Sequence, residues 1–460
     1  MMKKFIKFYT PDDDSKRLFA IGTPIIVQNL VNYLQLQTDI AMLGHKNPLY
    51  LAAIGNVTFP YIILVNFLLG VSTGATVMIA HSIGARKLSH ARRFSEVSFF
   101  YNSLISIPFF LILFLLCPAI MSALGTSPEV NFYGSQYMRF LSYSILFIGI
   151  EMSVTSTLQG MGKTKHIMVS GILKTVINIF LDWILIYGIW GFPEMGIEGA
   201  ALATSIANAV SALYLLGTMA FSKSILFRPG GGIFKPRWSI ERKNIQIGFP
   251  SGLEAIMWAL GQVAIIRIVN EIDVLSAGIY LMVARLQAFT FFFYVGIARG
   301  TMTLVGQKMG AGRFKEAIRV GLLGLRYSFL FCFAASALFL LMPESILSIF
   351  TSDPGIIQAS LPLLVIIAIT IYPVAINVVI GHAIRGMKDP QWMFLTQILG
   401  TTFTVACSAV LIFVFKLGII GIFITTFSDE TVRAILNFIR FYRGREFFKK
   451  RIFPGNISIK

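Results

Sequence analysis

Charged side chains are scarce in this sequence, and their scarcity excludes a water-soluble fold. Only 13% of the 460 residues are Asp, Glu, Lys or Arg, whereas 56% are hydrophobic and 41 are Phe. Such a composition leaves too little polar surface to cover even one soluble domain. Apolar segments recur between short polar loops, each about the 20 residues with which a helix spans a bilayer. The sequence therefore predicts an all-α integral membrane protein.

Cysteines and metal-ligand motifs are also scarce. The three cysteines all lie inside apolar segments, so they predict neither a disulfide framework nor a paired-cysteine metal site. The five histidines show no HExxH or similar ligand spacing, and GMGKTKH (160–166) lacks the leading glycine of a phosphate-binding loop. We therefore expect no enzyme activity and no bound cofactor. Energy for any transport should come from an ion gradient.

Twelve apolar segments predict twelve transmembrane helices. They cover 18–43, 51–80, 95–117, 131–158, 167–190, 197–221, 243–270, 277–303, 320–341, 359–384, 391–415 and 419–439. The 39 Lys and Arg residues concentrate at both termini and in every second loop, whereas the intervening loops contain only Lys46 and Lys416. By the positive-inside rule, this alternation predicts a multi-pass protein of the cytoplasmic (inner) membrane with both termini cytoplasmic. The net charge of +18 then follows from topology, so we expect contact with lipids and not with nucleic acid.

The sequence also repeats itself at a shift of 226 positions. The matched residues include Pro24 and Pro250, Gly70 and Gly296, and Gly74 and Gly300. Because glycine and proline determine backbone geometry, the duplicated feature is an architecture. The repeats are predicted to be parallel lobes of six helices each, which is typical of transporters. The predicted limits are 1–220 for the N-terminal lobe, 221–244 for a cytoplasmic linker and 245–460 for the C-terminal lobe with its basic tail.

Two prolines occupy equivalent places in the lead helix of each predicted lobe. Pro24 and Pro250 lie several residues inside these helices, where each removes a backbone hydrogen bond and favours a kink. We predict that they act as helix hinges. The alternative interpretation is that proline is simply more frequent in membrane helices.

A few polar residues lie at membrane depth, where each requires a partner or a function. Asp39 lies in the first predicted helix, and Asn178 and Asp182 lie one turn apart on one face of the fifth. The two carboxylates and the amide would hold Na⁺ or share a proton, and spacing alone does not decide between these. The repeat places apolar or uncharged residues at the equivalent positions, namely Ile265, Thr404 and Ser408. The scaffold therefore does not need the acids, which favours a functional role.

Other charged residues in apolar segments are interpreted as ion pairs or as single contacts. Glu151 and Lys174 lie at similar depths and predict a structural ion pair, and Arg267 is expected to pair with Glu271 one turn on. Glu254 is interpreted as an isolated acid that contacts an ion or a substrate. Its counterpart in the first lobe is Gln28, and Arg285 has no evident partner.

These features together resemble the multidrug and toxic compound extrusion (MATE) transporters over nearly the whole chain. The resemblance is carried by TDIAMLGH (38–45), by IGARKLSHARR (83–93) with its echo MGAGRFKEAIR (309–319), by LQGMGKTK (158–165) and by INIFLDWILIYGIWGFPEMGIEGAALAT (177–204). It implies a V-shaped fold of two six-helix lobes that exports drugs or metabolites in exchange for Na⁺ or H⁺. Carried over by position, the cation site would comprise Asp39, Asn178, Asp182 and Thr204, with Pro24 as a bend that changes on protonation.

The resemblance leaves several alternatives open. The pattern is more similar to the DinF-like branch than to the NorM-like branch, whose seventh and tenth helices carry further acids. Glu254 is displaced from the usual glutamate position of the NorM-like branch. The leading hypothesis is a monomeric, cation-coupled exporter of amphipathic and often cationic small molecules. The alternative is a flippase for lipids or lipid-linked precursors, which the wider superfamily also contains. Neither the substrate nor the choice between Na⁺ and H⁺ follows from the sequence.

Overall fold

Twelve long helices form the described part of the chain, which in this computed structural model comprises residues 12–221 and 237–452. The first six, α1 to α6, are Asp13–Lys46, Pro48–Gly84, Leu88–Leu115, Pro128–Met161, Lys165–Tyr187 and Ile197–Phe221. The second six, α7 to α12, are Trp238–Asn270, Val274–Gly310, Phe314–Leu341, Pro354–Gly386, Pro390–Phe413 and Gly418–Ile452. Short helical turns at Cys117–Ala123, Ile189–Gly191 and Pro343–Leu347 lie in the loops.

The helices confirm the predicted all-α membrane fold. Ten of them, α2 to α11, are long and apolar enough to cross a membrane within the described residues. The first and twelfth are as long, but α1 begins with charged residues and α12 ends with them. Most of the predicted linker (222–236) and the chain ends (1–11 and 453–460) lie outside the described residues.

The internal repeat reproduces local helix-starting signals. Ser127 precedes Pro128 at the start of α4, and its hydroxyl accepts a hydrogen bond from the Val130 backbone N–H. At the equivalent position, Asp353 precedes Pro354 at the start of α10 and caps that helix with its carboxylate. A capping side chain followed by proline is a strong helix start, because proline needs no hydrogen-bonded N–H there. The same start signal therefore begins the fourth helix of each repeat.

The helices form two compact units whose boundaries fall inside α1 and α7. The N-terminal unit consists of residues 24–252, and the C-terminal unit combines the residues before Pro24 with those after Gly252. One boundary is therefore at Pro24, and the other lies two residues after Pro250. The limits predicted from the sequence, 1–220 and 245–460, stay a prediction. They differ from the compact units chiefly in where the first halves of α1 and α7 belong.

Glycines explain why the first half of α7 packs within the N-terminal unit. A Cβ atom on Gly70 of α2 would lie 2.7 Å from the carbonyl oxygen of Gly248, and one on Gly74 would overlap the carbonyl oxygen of Asn244. Such close backbone approach needs residues without side chains. The C-terminal unit repeats the contact, since a Cβ on Gly22 of α1 would lie 3.1 Å from the carbonyl oxygen of Gly296.

Ion pairs anchor the start of α1 within the C-terminal unit. Lys308 Nζ lies 2.9 Å from Asp14 Oδ1 and 2.6 Å from Glu316 Oε2, and Arg319 pairs with Asp12. Hydrogen bonds from Ser15 and the nearby Arg319 guanidinium hold the pKa of Asp12 below its usual value. Charge pairing and glycine packing thus hold the same half-helix.

Gly74→Ala should destabilise the protein by about 1–3 kcal/mol, because the added methyl group would force apart two closely packed backbones. The unfolding midpoint of the detergent-solubilised protein measures this effect. Gly55→Ala is the matched control in the same helix, since a Cβ there meets nothing within 4 Å. An alanine at Gly55 should be neutral or slightly stabilising, because alanine favours helix over glycine. Equal midpoints for the two variants would contradict the packing role of Gly74.

Candidate functional site

The structure brings the four predicted cation-site residues together within the N-terminal unit. Asp39 comes from α1, Asn178 and Asp182 from α5, and Thr204 from α6. The carboxyl groups of Asp39 and Asp182 lie within hydrogen-bonding reach of each other. Asn178 and Asp182 are completely buried, at 0% exposure. Residues from three helices therefore converge on one buried polar cluster, called here the aspartate site.

The Asn178 amide links the aspartate site to α6. With its nitrogen toward α1, it donates to Asp39 Oδ1 at 3.1 Å and its carbonyl oxygen accepts from the Thr204 backbone N–H at 3.3 Å. In the opposite orientation its nitrogen donates to Thr204 Oγ1 at 3.4 Å. Because an amide can present either atom, Asn178 can follow a change in the charge of Asp39.

The two acids of the aspartate site are not paired with a basic side chain of the described residues. Within the same residues, Asp182 Oδ1 has no hydrogen-bond partner. The nearby α5 residue Lys174 is instead 3.7 Å from Glu151, as predicted. Two adjacent buried carboxylates repel each other, so they need a proton or a metal cation between them. Carboxylate, amide and hydroxyl oxygens suit a hard cation as well as a proton.

The sequence prediction missed two polar neighbours of the aspartate site. The Gln35 side-chain amide lies 2.7 Å from that of Asn178, and Thr175 Oγ1 donates to Gln35 Oε1 at 3.2 Å. Helical spacing would have identified both. Gln35 is one turn before Asp39, and Thr175 is one turn before Asn178 on the same face.

The other predicted residues of the N-terminal unit lie apart from this cluster. Pro24 lies inside the continuous helix α1, at the boundary of the unit. Gln28 is buried one turn later, and its side chain fills the space beside Gly171 of α5. A hinge at Pro24, a hinge at Pro250 and an ion or substrate contact at Gln28 stay predictions.

Glu254 is not the isolated acid that the sequence suggested. Arg385 of α10 donates from Nη2 to Glu254 Oε1 at 2.5 Å, and its other terminal nitrogen lies 3.2 Å from His382 Nδ1. The partner was missed because it lies 131 residues along the chain, where only the fold brings it close. Glu254 Oε2 still has no hydrogen-bond partner within the described structure. The pair Arg267 and Glu271, by contrast, is present as predicted, at 3.8 Å.

A second charged cluster, on α12, was missed altogether. Arg433 donates from Nε to Asp429 at 3.0 Å, from Nη2 to Glu430 at 2.5 Å and from Nη1 to Gln397 of α11 at 3.0 Å. Glu430 also accepts from the Asn377 side chain at 2.7 Å. The signal was the sequence SDETVRA (428–434), which places three charges within one turn of a predicted membrane helix.

Comparison with known proteins agrees with the repeat and the fold. The MatE family model matches residues 24–184 and again 250–411. The chain is 28% identical over 457 residues to a "Probable multidrug resistance protein NorM" of Thermotoga maritima, and 97% of each chain is covered. It is 25% identical to the "Uncharacterized transporter YisQ" of Bacillus subtilis, with 96% of each chain covered.

The fold is likewise that of solved transporters. The structure titled "Outward-facing conformation of a multidrug resistance MATE family transporter of the MOP superfamily" matches with a TM-score of 0.88 at 19% identity, covering 95% of this chain and 97% of that one. The DinF-like branch stays a prediction. Since the family model matches both halves and more than half of the residues, this chain belongs to the MatE family of membrane transporters and is not an enzyme.

Proposed function

We propose that this protein exports amphipathic, often cationic, small molecules across the cytoplasmic membrane in exchange for H⁺ or Na⁺. The observation that carries the proposal is the aspartate site, in which two adjacent buried carboxyl groups have no basic partner among the described residues. Such a pair changes its occupancy with the concentration of protons or cations. The relatives named as multidrug resistance proteins support drugs or metabolites as substrates.

The aspartate site supplies a reason for coupling. When Asp39 and Asp182 are both ionised, their repulsion opposes the close packing of α1 against α5. A bound proton or Na⁺ removes this repulsion, so occupancy favours one arrangement of α1 over another. A substrate that binds preferentially to the opposite arrangement is then exchanged for the ion, because the two ligands are linked through the same equilibrium.

Efflux from proteoliposomes tests this proposal. Ethidium loaded into vesicles should leave faster when a pH gradient or a Na⁺ gradient is imposed, and an ionophore that dissipates the effective gradient should stop the acceleration. The ion whose gradient drives export identifies the coupling ion. If the rate of ethidium efflux depends on neither gradient and the protein moves a fluorescent phospholipid between leaflets, the exporter proposal is contradicted and the flippase alternative is favoured.

A further inference from the structure

An open groove lies among α9, α10 and α12 of the C-terminal unit. Its volume is about 730 Å³, and Tyr372 and Thr431 are the polar residues of its otherwise apolar lining. The Thr431 hydroxyl donates to the Phe427 carbonyl of its own helix, so it offers little to a polar ligand. We call this feature the α10 groove. Its lining suits an apolar ligand, since burying apolar surface is favourable and burying an unpaired polar group is not.

The α10 groove is open to its surroundings, and particular residues leave the room for it. Ala434 contributes only a methyl group to the lining, and Pro373 removes the backbone N–H that would bond the Ile369 carbonyl, which favours a bend in α10. The lining residues Ile369 and Ile435 are 53% and 55% exposed. In a membrane protein, exposed apolar side chains of this kind face lipid.

The length of the α10 groove matches one leaflet of a bilayer. Its lining on α12 extends from Phe427 to Ile439, a distance of about 18 Å at the helical rise per residue. Half of a bilayer's hydrocarbon core is about 15 Å thick. An acyl chain of a phospholipid in one leaflet extends over the same distance, so it would fill the groove from end to end.

Tyr442 marks the mouth of the α10 groove. It continues the lining face of α12, stacks on Phe438 with ring centroids 6.3 Å apart and is 61% exposed. Tyrosine is enriched where a membrane meets water. On α9 the same level is given by Gly321, since a Cβ there would overlap the ring of Phe441 on α12. The mouth is therefore on the side that the Lys and Arg pattern predicts to be cytoplasmic.

Two basic side chains flank this mouth. Arg443 lies one helical turn past the lining of α12, and Lys315 lies two turns before the lining of α9 on the same face. Both are exposed, and neither forms an ion pair within the described residues. Arg319, by contrast, pairs with Asp12. The sequence 443–451 contains five basic residues and one acidic residue, so this end of α12 attracts anions.

We infer that the α10 groove binds an anionic phospholipid of the predicted cytoplasmic leaflet, with one acyl chain along the groove and the phosphate between Lys315 and Arg443. An apolar length with cations at one end is complementary to such a lipid, because arginine and lysine bind phosphate through charge-assisted hydrogen bonds. The groove lies apart from the aspartate site, in the other compact unit. The inference therefore goes beyond the proposed exchange and does not depend on it.

Native mass spectrometry of the full-length protein, titrated with dioleoyl phosphatidylglycerol, tests the role of the cations. The double variant Lys315→Gln, Arg443→Gln should weaken saturable binding by about 25-fold, since each cation at an anionic membrane surface contributes about fivefold in affinity. Dioleoyl phosphatidylcholine has the same acyl chains without the net charge. It should bind the original chain more weakly than phosphatidylglycerol does, and the double variant should change its binding less than twofold.

A matched control removes the same charges elsewhere. Arg242→Gln with Lys243→Gln takes one arginine and one lysine from the start of α7, in the other unit, and both side chains are exposed. Their helix end lies on the same predicted side of the membrane. This variant should bind phosphatidylglycerol as tightly as the original chain, because its cations do not flank the groove.

Ile435→Trp tests the apolar part and keeps every charge. The larger side chain would occupy the groove, and displacing two methylene groups of the lipid should weaken binding by about 15-fold. Val432→Trp is the control, since Val432 is 53% exposed on the same helix but lies outside the lining. It should bind phosphatidylglycerol normally.

Three results would overturn the inference. The first is a double variant, Lys315→Gln with Arg443→Gln, that binds phosphatidylglycerol as tightly as the original chain. The second is equal binding of phosphatidylcholine and phosphatidylglycerol by the original chain, and the third is equal binding by the two tryptophan variants. A protein dimer that Ile435→Trp abolishes would assign the groove to a second copy of this chain and would also overturn it.

Discussion

Asp39→Asn and Asp182→Asn should each reduce gradient-driven export by roughly a hundredfold, the effect of losing about 3 kcal/mol from the coupling step. Each substitution keeps the shape of the side chain and removes a charge. A site with one carboxyl group no longer needs a proton or cation to relieve repulsion, so ion occupancy cannot favour one arrangement of α1. Efflux of ethidium from proteoliposomes under the effective gradient measures the loss.

The double variant should be little worse than either single variant. Because the two carboxyl groups contact each other within the aspartate site, they act as one unit and their effects are not additive. Equilibrium binding of the drug should fall less than transport, since the site controls the conformational equilibrium. Asn178→Ala and Thr204→Ala should weaken the ion dependence more mildly, because they remove neutral ligands.

Glu271→Gln is the matched control for charge removal. Its side chain is 55% exposed, and its partner Arg267 lies in the last turn of α7, just before Glu271. Export by this variant should equal that of the original chain. If Asp39→Asn and Asp182→Asn also export normally with the same ion dependence, the aspartate site is not the coupling site.

Arg385→Met should destabilise the C-terminal unit by about 3–5 kcal/mol, the cost of leaving one buried charge without its partner. Glu254 would then carry a buried carboxylate whose second oxygen already has no hydrogen-bond partner in the described structure. The double variant Glu254→Gln, Arg385→Met should regain most of the stability, because no charge is left unpaired. Denaturant unfolding of the solubilised protein compares the three.

An exposed pair provides the control for this cycle. Arg267→Met breaks the pair with Glu271, in which the arginine side chain is 84% exposed. Exposed ion pairs contribute about 0–1 kcal/mol, so the unfolding free energy should barely change. If Arg385→Met lowers the unfolding free energy as little as Arg267→Met does, or if the double variant is no more stable than Arg385→Met, then Arg385 does not stabilise the buried charge of Glu254.

The fold was predictable because the length of each apolar segment and the charge of each loop can be read from neighbouring residues in the sequence. Twelve apolar segments became twelve helices, and the predicted start of α6 at residue 197 is the observed one. The predicted helix ends were less accurate where polar residues continue a helix beyond its apolar segment. Helix α12, for example, continues to Ile452, whereas the predicted segment ends at 439.

The candidate site was predictable for a different reason. Asn178 and Asp182 share a helical face, and Asp39 is another acid inside an apolar segment. Resemblance to known transporters added Thr204. Partners far apart along the chain were not predictable from spacing. The pair of Glu254 with Arg385 and the contact of Arg433 with Gln397 join separate helices, so only tertiary packing reveals them.

The exchange of half-helices between the compact units has a consequence for biosynthesis. The N-terminal unit includes the first half of α7, so a ribosome must translate past Gly252 before that unit has all its helices. The residues before Pro24 leave the ribosome early. Gly296, which packs against Gly22, is made 274 residues after it, and Lys308, which pairs with Asp14, is made 294 residues after it. Until α8 is made, the surface around Gly22 lacks the backbone of Gly296 that packs against it. Since contacts so distant along the chain form late, closing this half-helix onto α8 should be among the last events of folding.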